Sequence, residues 1–190
     1  MKKEVNNKKM IIIGAIVAVV VVLVAGIIGI HNAIIAKSEA VDSAYSTIET
    51  TLQRRNDLIP NLVSTVKGYA THEEKVFADV TAARETLLSA KGVDATSKAS
   101  SELNGALGRL LAIAENYPDL KANTNFLNLQ DELAGTENRI NVARQEYNDK
   151  ARAYNTYIKQ FPQNLLKGDA TDKPYFEAET NAQTVPQVEF

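Results

Sequence analysis

From Met10 to Ile30 the chain reads MIIIGAIVAVVVVLVAGIIGI, without one charged or strongly polar side chain. A run of this length crosses the roughly 30 Å hydrocarbon core of a bilayer as a helix, which satisfies its own backbone hydrogen bonds where no water can. A cleaved signal peptide would carry a shorter apolar core, about 7–15 residues, and then a small-residue cleavage site. His31-Asn32-Ala33-Ile34-Ile35 supplies no such site, so the segment is expected to stay in place as an anchor. The chain has no cysteine, which removes both cysteine lipidation and disulfides from consideration.

The flanking charges suggest an orientation. Lys2, Lys3, Lys8 and Lys9 precede the run and only Lys37 lies close behind it, whereas cytoplasmic flanks are the ones enriched in Lys and Arg. The bulk of the chain is therefore expected on the extracytoplasmic side. Without those lysines and Glu4 the remainder is acidic, which disfavours a nucleic-acid partner.

Behind the anchor, Val41, Tyr45, Ile48, Leu52, Ile59, Leu62 and Val66 fall on one face of a helix. No breaker separates Ile30 from Asn56, so anchor and helix are expected to form one rod that ends at Lys67-Gly68. Thr71-His72-Glu73-Glu74 has the form of a capping box opening a second helix, His72 to Ala90, with Val76 or Phe77, Val80, Ala83 and Leu87 inward. A loop over residues 91–96 precedes a third helix, Ser97 to Asn116, burying Leu103, Leu107, Leu110 and Ala114 and stopped by Tyr117-Pro118-Asp119. Phe126, Leu129, Leu133, Thr136, Ile140, Ala143, Tyr147, Ala151, Tyr154, Ile158 and Phe161 continue the three-four alternation as a coiled-coil-like seam closed by Pro162.

The first and last helices would each run about 38 residues beyond the lipid, roughly 57 Å, and the middle two about half that. The expected fold is all-α: an elongated antiparallel four-helix bundle with two long and two short helices, behind a single transmembrane helix. Residues 1–9 form a basic segment, 10–30 the anchor, 31–161 the helical domain and 162–190 a flexible tail.

The candidate site residues are structural. Arg55 occupies a seam position between Leu52 and Ile59, where a charge has to be paired or to snorkel to solvent. Antiparallel pairing of the long helices with Lys67 and Thr124 at one end puts Arg55 opposite Thr136, within reach of Glu132 or Glu137. Arg54 and Asp57 are spaced to pair on the helix surface. Pro60 deprives the Asn56 carbonyl of its helical donor, so a helix joint is expected there, either a kink or a fresh start capped by Asp57.

No catalytic set stands out. His31 and His72 are the only histidines, and His72-Glu73-Glu74-Lys75-Val76 lacks the second histidine of a zinc-protease helix. Glu-x-x-His, G-x-S-x-G and the glycine-rich phosphate loops are all missing. The expectation is a non-enzyme with no metal and no cofactor.

The anchor, RRNDLIPNLVSTVKGYATHE, AENYPDLKANTNFLNLQDELAGTENRINVARQEYN, YNTYIKQFP and the ending VPQVEF, in this order, resemble the LemA family of bacterial membrane proteins. The resemblance spans nearly the whole chain behind the anchor. It implies a bacterial single-span protein with an elongated antiparallel helical domain, and it carries no catalytic residues with it.

The leading expectation is a scaffold or adaptor of the cell envelope, anchored in membrane lipid and bound to envelope proteins, with a homo-oligomer left open. The alternative is a lipid or small-molecule sensor, with ligand held near the Gly105 and Gly108 gaps of the third helix. The terminal Val185-Pro186-Gln187-Val188-Glu189-Phe190 is the candidate partner-binding tail, because alternating Val188 and Phe190 ending in a carboxylate suit addition to a partner's sheet edge.

Overall fold

A computed structural model describes residues 2–177. Within them the chain is all-helical: α1 (Lys2–Lys67), α2 (Glu74–Ser89), α3 (Val93–Ala114), α4 (Pro118–Lys121), α5 (Thr124–Lys159) and α6 (Gln163–Leu166), with no strand among the described residues. The anchor and the first amphipathic helix are one uninterrupted α1, as the lack of a breaker implies. Val188 and Phe190 lie outside the described residues.

The chain divides into two compact units, Met1–Val41 with Lys150–Lys173, and Asp42–Asp149 with Pro174–Phe190. In the first unit the large side chains from Met10 to Ile28 are about half exposed or more, which is costly in water and suits lipid contact. Further along, Ile34 and Val41 of α1 and Ala151, Tyr154 and Ile158 of α5 are buried, and Lys37 Nζ stands 5.3 Å from the Tyr157 ring centroid. Phe161 departs furthest from the expected seam, 79% exposed, because α5 stops at Lys159 and carries its apolar face no further.

In the second unit α1 and α5 run antiparallel, for Tyr45 meets Tyr147, Arg55 meets Glu137 and Tyr69 meets Asn123. The core is Ile48, Leu52, Ile59, Leu62 and Val66 of α1, Phe77, Val80 and Leu87 of α2, Leu103, Leu107 and Leu110 of α3, and Phe126, Leu133, Ile140 and Ala143 of α5. Two helix starts differ from expectation. The Thr71 capping box is not formed: His72 sits in a turn, and Glu73 precedes α2 without a side-chain cap. α3 begins at Val93, earlier than Ser97, since Gly92 at φ 81° makes the turn at once and frees Val93, Thr96, Ala99 and Ser100 to extend the buried face. Pro118 opens α4, and Asn123 caps α5 by accepting from the N–H groups of Asn125 (2.9 Å) and Phe126 (3.1 Å).

Candidate functional site: an arginine-braced helix and a C-terminal clasp

Pro60 lies inside α1, and the helix continues through it. Asp57 is thus a mid-helix residue, its carboxylate accepting from Gln53 Nε2 at 2.9 Å, and the fresh start at Asp57 does not occur. The Asn56 carbonyl that proline leaves without a helical donor accepts instead from Arg84 Nε of α2, at 2.9 Å. The position expected as a joint is where α2 is fastened to α1.

The neighbouring arginines reach α5. Arg55 is buried, and its Nη1 lies 2.7 Å from Glu137 Oε2. That contact is an ion pair rather than an aligned hydrogen bond. Glu132 is held by exposed Arg54 at 3.1 Å and not by Arg55. Thr136, facing the same stretch, donates its hydroxyl to the Leu133 carbonyl and adds no charge. Arg54 thus spans to α5 instead of pairing with Asp57 along α1.

The less expected feature involves residues 163–177, anticipated as part of a loose tail. They contain α6, and the segment after it is pinned to α5. In the second unit Asn148 exchanges two hydrogen bonds with the backbone of one residue: its Nδ2 donates to the Phe176 carbonyl and its Oδ1 accepts the Phe176 N–H, both at 2.9 Å. The side chain plays the part of a facing strand. Tyr147 donates its hydroxyl to the Pro174 carbonyl at 3.0 Å. Phe176, 5% exposed, stacks against Tyr45 (6.4 Å, 19°), meets Tyr147 edge-on (5.2 Å, 82°) and has the Arg144 guanidinium 5.5 Å from its centroid. Arg144 is positioned by donating to Ser100 Oγ at 2.8 Å, and the Tyr45 and Thr96 hydroxyls share a bond of 3.0 Å. Burial first, then the charges of Asp42, Tyr45 and Asp94, push the Tyr147 phenol up to about 12, which keeps it a donor.

In the first unit the same bidentate exchange joins Asn155 to Lys173, with both bonds at 2.8 Å, and Lys159 pairs with Asp172 at 2.5 Å. Neither asparagine emerges from the apolar alternation, which passes through the tyrosine before each one. A signal was nevertheless present: Tyr-Asn recurs at 147–148 and 154–155, one heptad apart and therefore on one face of α5.

Two further features bear on ligand binding. A cavity of about 160 Å³ in the second unit is lined by Glu49, Leu52, Gln53, Asn56, Leu87, Leu88, Ala90 and Thr96, and buried Asn56 has its Oδ1 without a partner. Gly105 and Gly108 are exposed on α3, with open space beside Gly108 and only Arg109 Nη1, at 3.9 Å, near a Cβ built at Gly105. Among the described residues no cluster of metal-ligating side chains forms.

Helices packed behind an apolar helix long enough to cross a membrane define a helical domain carried on a candidate membrane anchor. Residues 44–190 match the LemA family, and the chain belongs to it. Similar curated proteins include Magnetosome protein MamQ 2 and Magnetosome protein MamQ 1 of Paramagnetospirillum magneticum, each 27% identical over 173 residues that cover 77% of this chain and 64% of theirs. Protein LemA of Metamycoplasma hominis is 28% identical over 141 residues, covering 73% of this chain and 64% of its own. The chain thus spans less than two thirds of the length of these relatives.

Proposed function

We propose that this chain is a membrane-anchored helical adaptor of the bacterial envelope, oriented with its helical domain outside the cytoplasm and using the residues after the clasp to engage protein partners. The observation that most supports it is the double pinning of the C-terminal segment at Lys173 and Phe176, which gives the last residues a defined point of attachment on α5. An adaptor needs this, since a tether of fixed origin raises the effective concentration of its binding end near the scaffold. Orientation rests on Lys2, Lys3, Lys8 and Lys9.

The test is a crosslinked pull-down from native membranes with the full chain and with a chain lacking Val188–Phe190. Loss of at least one reproducible partner on deletion, with helical content unchanged, supports the adaptor; an identical partner set refutes the use of the tail. For orientation, Lys98→Cys, exposed on α3, should react with a membrane-impermeant maleimide on spheroplasts with an intact inner membrane. Labelling confined to lysed cells would place the domain in the cytoplasm.

The second reading, a small-molecule sensor, is favoured by the cavity beside Asn56, whose unpartnered carbonyl oxygen would accept from a ligand donor. Small amines and alcohols screened by ligand-observed NMR should show saturation transfer that Asn56→Leu abolishes. An unchanged spectrum in that variant would remove the reading.

A further inference from the structure

The segment clasped on α5 makes a kind of contact usually made between chains. Asn148 reads an extended backbone through one N–H and one C=O, Tyr147 requires a carbonyl two residues earlier, and the pocket of Tyr45, Tyr147 and Arg144 requires an aromatic ring at the residue that Asn148 holds. The pair of bonds resembles one rung of β-augmentation, with a side-chain amide of a helix in place of the sheet edge. Nothing in these contacts depends on the segment belonging to the same chain.

We propose that this surface is a peptide-binding site for the Pro174-Tyr175-Phe176 segment of a second copy, so that neighbouring chains exchange their C-terminal segments. A second copy fits better than any other occupant because it brings the same sequence, and exchange therefore loses none of the contacts just described. The Met10–Ile30 anchor would confine copies to one membrane and raise their local concentration. A second observation concerns the connection that has to open. It runs from the end of α5 through α6 and the turn at Gly168 (φ 58°), and it leaves Phe161 79% and Leu165 72% exposed. In an exchanged pair this stretch passes between copies and becomes the new contact, where exposed apolar side chains gain a partner.

The unmodified chain carries its own reporter. Lys159 Nζ and Asp172 Oδ2 are 2.5 Å apart, so a carbodiimide condenses that amine and carboxylate to an amide, the water lost being taken up by the carbodiimide. Full-length chain made with ordinary nitrogen and with heavy nitrogen is mixed in equal amounts, reconstituted together in liposomes, coupled, digested and read by mass spectrometry. Exchange predicts Lys159–Asp172 linked peptides with one light and one heavy half, approaching half of all such peptides. The yield of mixed peptides, relative to unlinked Lys159, should fall severalfold in Asn148→Ala and in Phe176→Ala, because both remove contacts that hold the exchanged segment. Linked peptides of a single isotope only would overturn the proposal, as would a yield of mixed peptides that neither substitution lowers, or no linkage at all.

Discussion

Arg84→Met should destabilise the protein because of a proline 24 positions earlier in the chain, and the size of the effect can be worked out from the contact. Methionine keeps most of the stem and removes the donor. The Asn56 carbonyl, on a residue 2% exposed, then has neither its helical donor nor the guanidinium. Loss of a hydrogen bond to a charged group costs about 1.5–3 kcal/mol. Replacing Pro60 with alanine restores an N–H four residues after Asn56 and relieves the ring contact, so Arg84→Met in that background should cost under about 1 kcal/mol. The coupling between the two positions is then about 1–2 kcal/mol, within the range found for residues that share a partner. Urea unfolding of the detergent-solubilised chain, followed by helical circular dichroism, reads it: at typical urea slopes a 2 kcal/mol loss moves the midpoint by about 1 M. If Arg84→Met costs the same in the Pro60→Ala background as in the unmodified chain, the guanidinium is not serving the carbonyl that proline frees.

Glu137→Gln should cost about 1–3 kcal/mol in the same assay, less than breaking a fully buried pair because Glu137 is 30% exposed, whereas Glu132→Gln, on the exposed Arg54 pair, should stay within about 0.5 kcal/mol. Asn148→Ala should speed amide exchange at Phe176, measured by hydrogen exchange with mass spectrometry; unchanged protection would mean that the aromatic contacts alone hold the segment. Tyr147 should ionise late in an ultraviolet pH titration, near 12. Its folded value lies above the unfolded value of 10.0, so its contribution to stability is complete below pH 10 and is lost as pH rises toward 12, with release of the Pro174 bond. A titration in Tyr147→Phe that keeps the late step would refute that assignment. Phe161→Ser, at a side chain 79% exposed, should leave stability of the isolated chain within about 0.5 kcal/mol.

What could be read from the sequence was whatever has a local period. The apolar run announces a membrane-capable helix by length alone, and the three-four alternation marks the inward face of each helix because burial repeats with the helical turn. Leu103, Leu107 and Leu110 are buried as that pattern requires. Antiparallel counting brought Arg55 to a choice of two carboxylates, and only packing decided between them: Arg54 holds Glu132, leaving Glu137 to Arg55. Helix ends were less legible, since Thr71 had the right neighbours for a cap, yet the chain turns through His72 and enters α2 later. Two contacts lay outside the apolar alternation, and no local pattern named their partners. Pro60 states that a carbonyl loses its donor but not which residue replaces it, and Arg84 lies on another helix. The polar end of the chain looked unfit for a core because its hydrophobic content is low, but one phenylalanine among tyrosines and backbone bonds from Asn148 and Asn155 are enough to dock it. Burial leaves a periodic record along the chain, whereas a hydrogen bond between distant segments at most marks one partner and exists only once the tertiary structure brings donor and acceptor together.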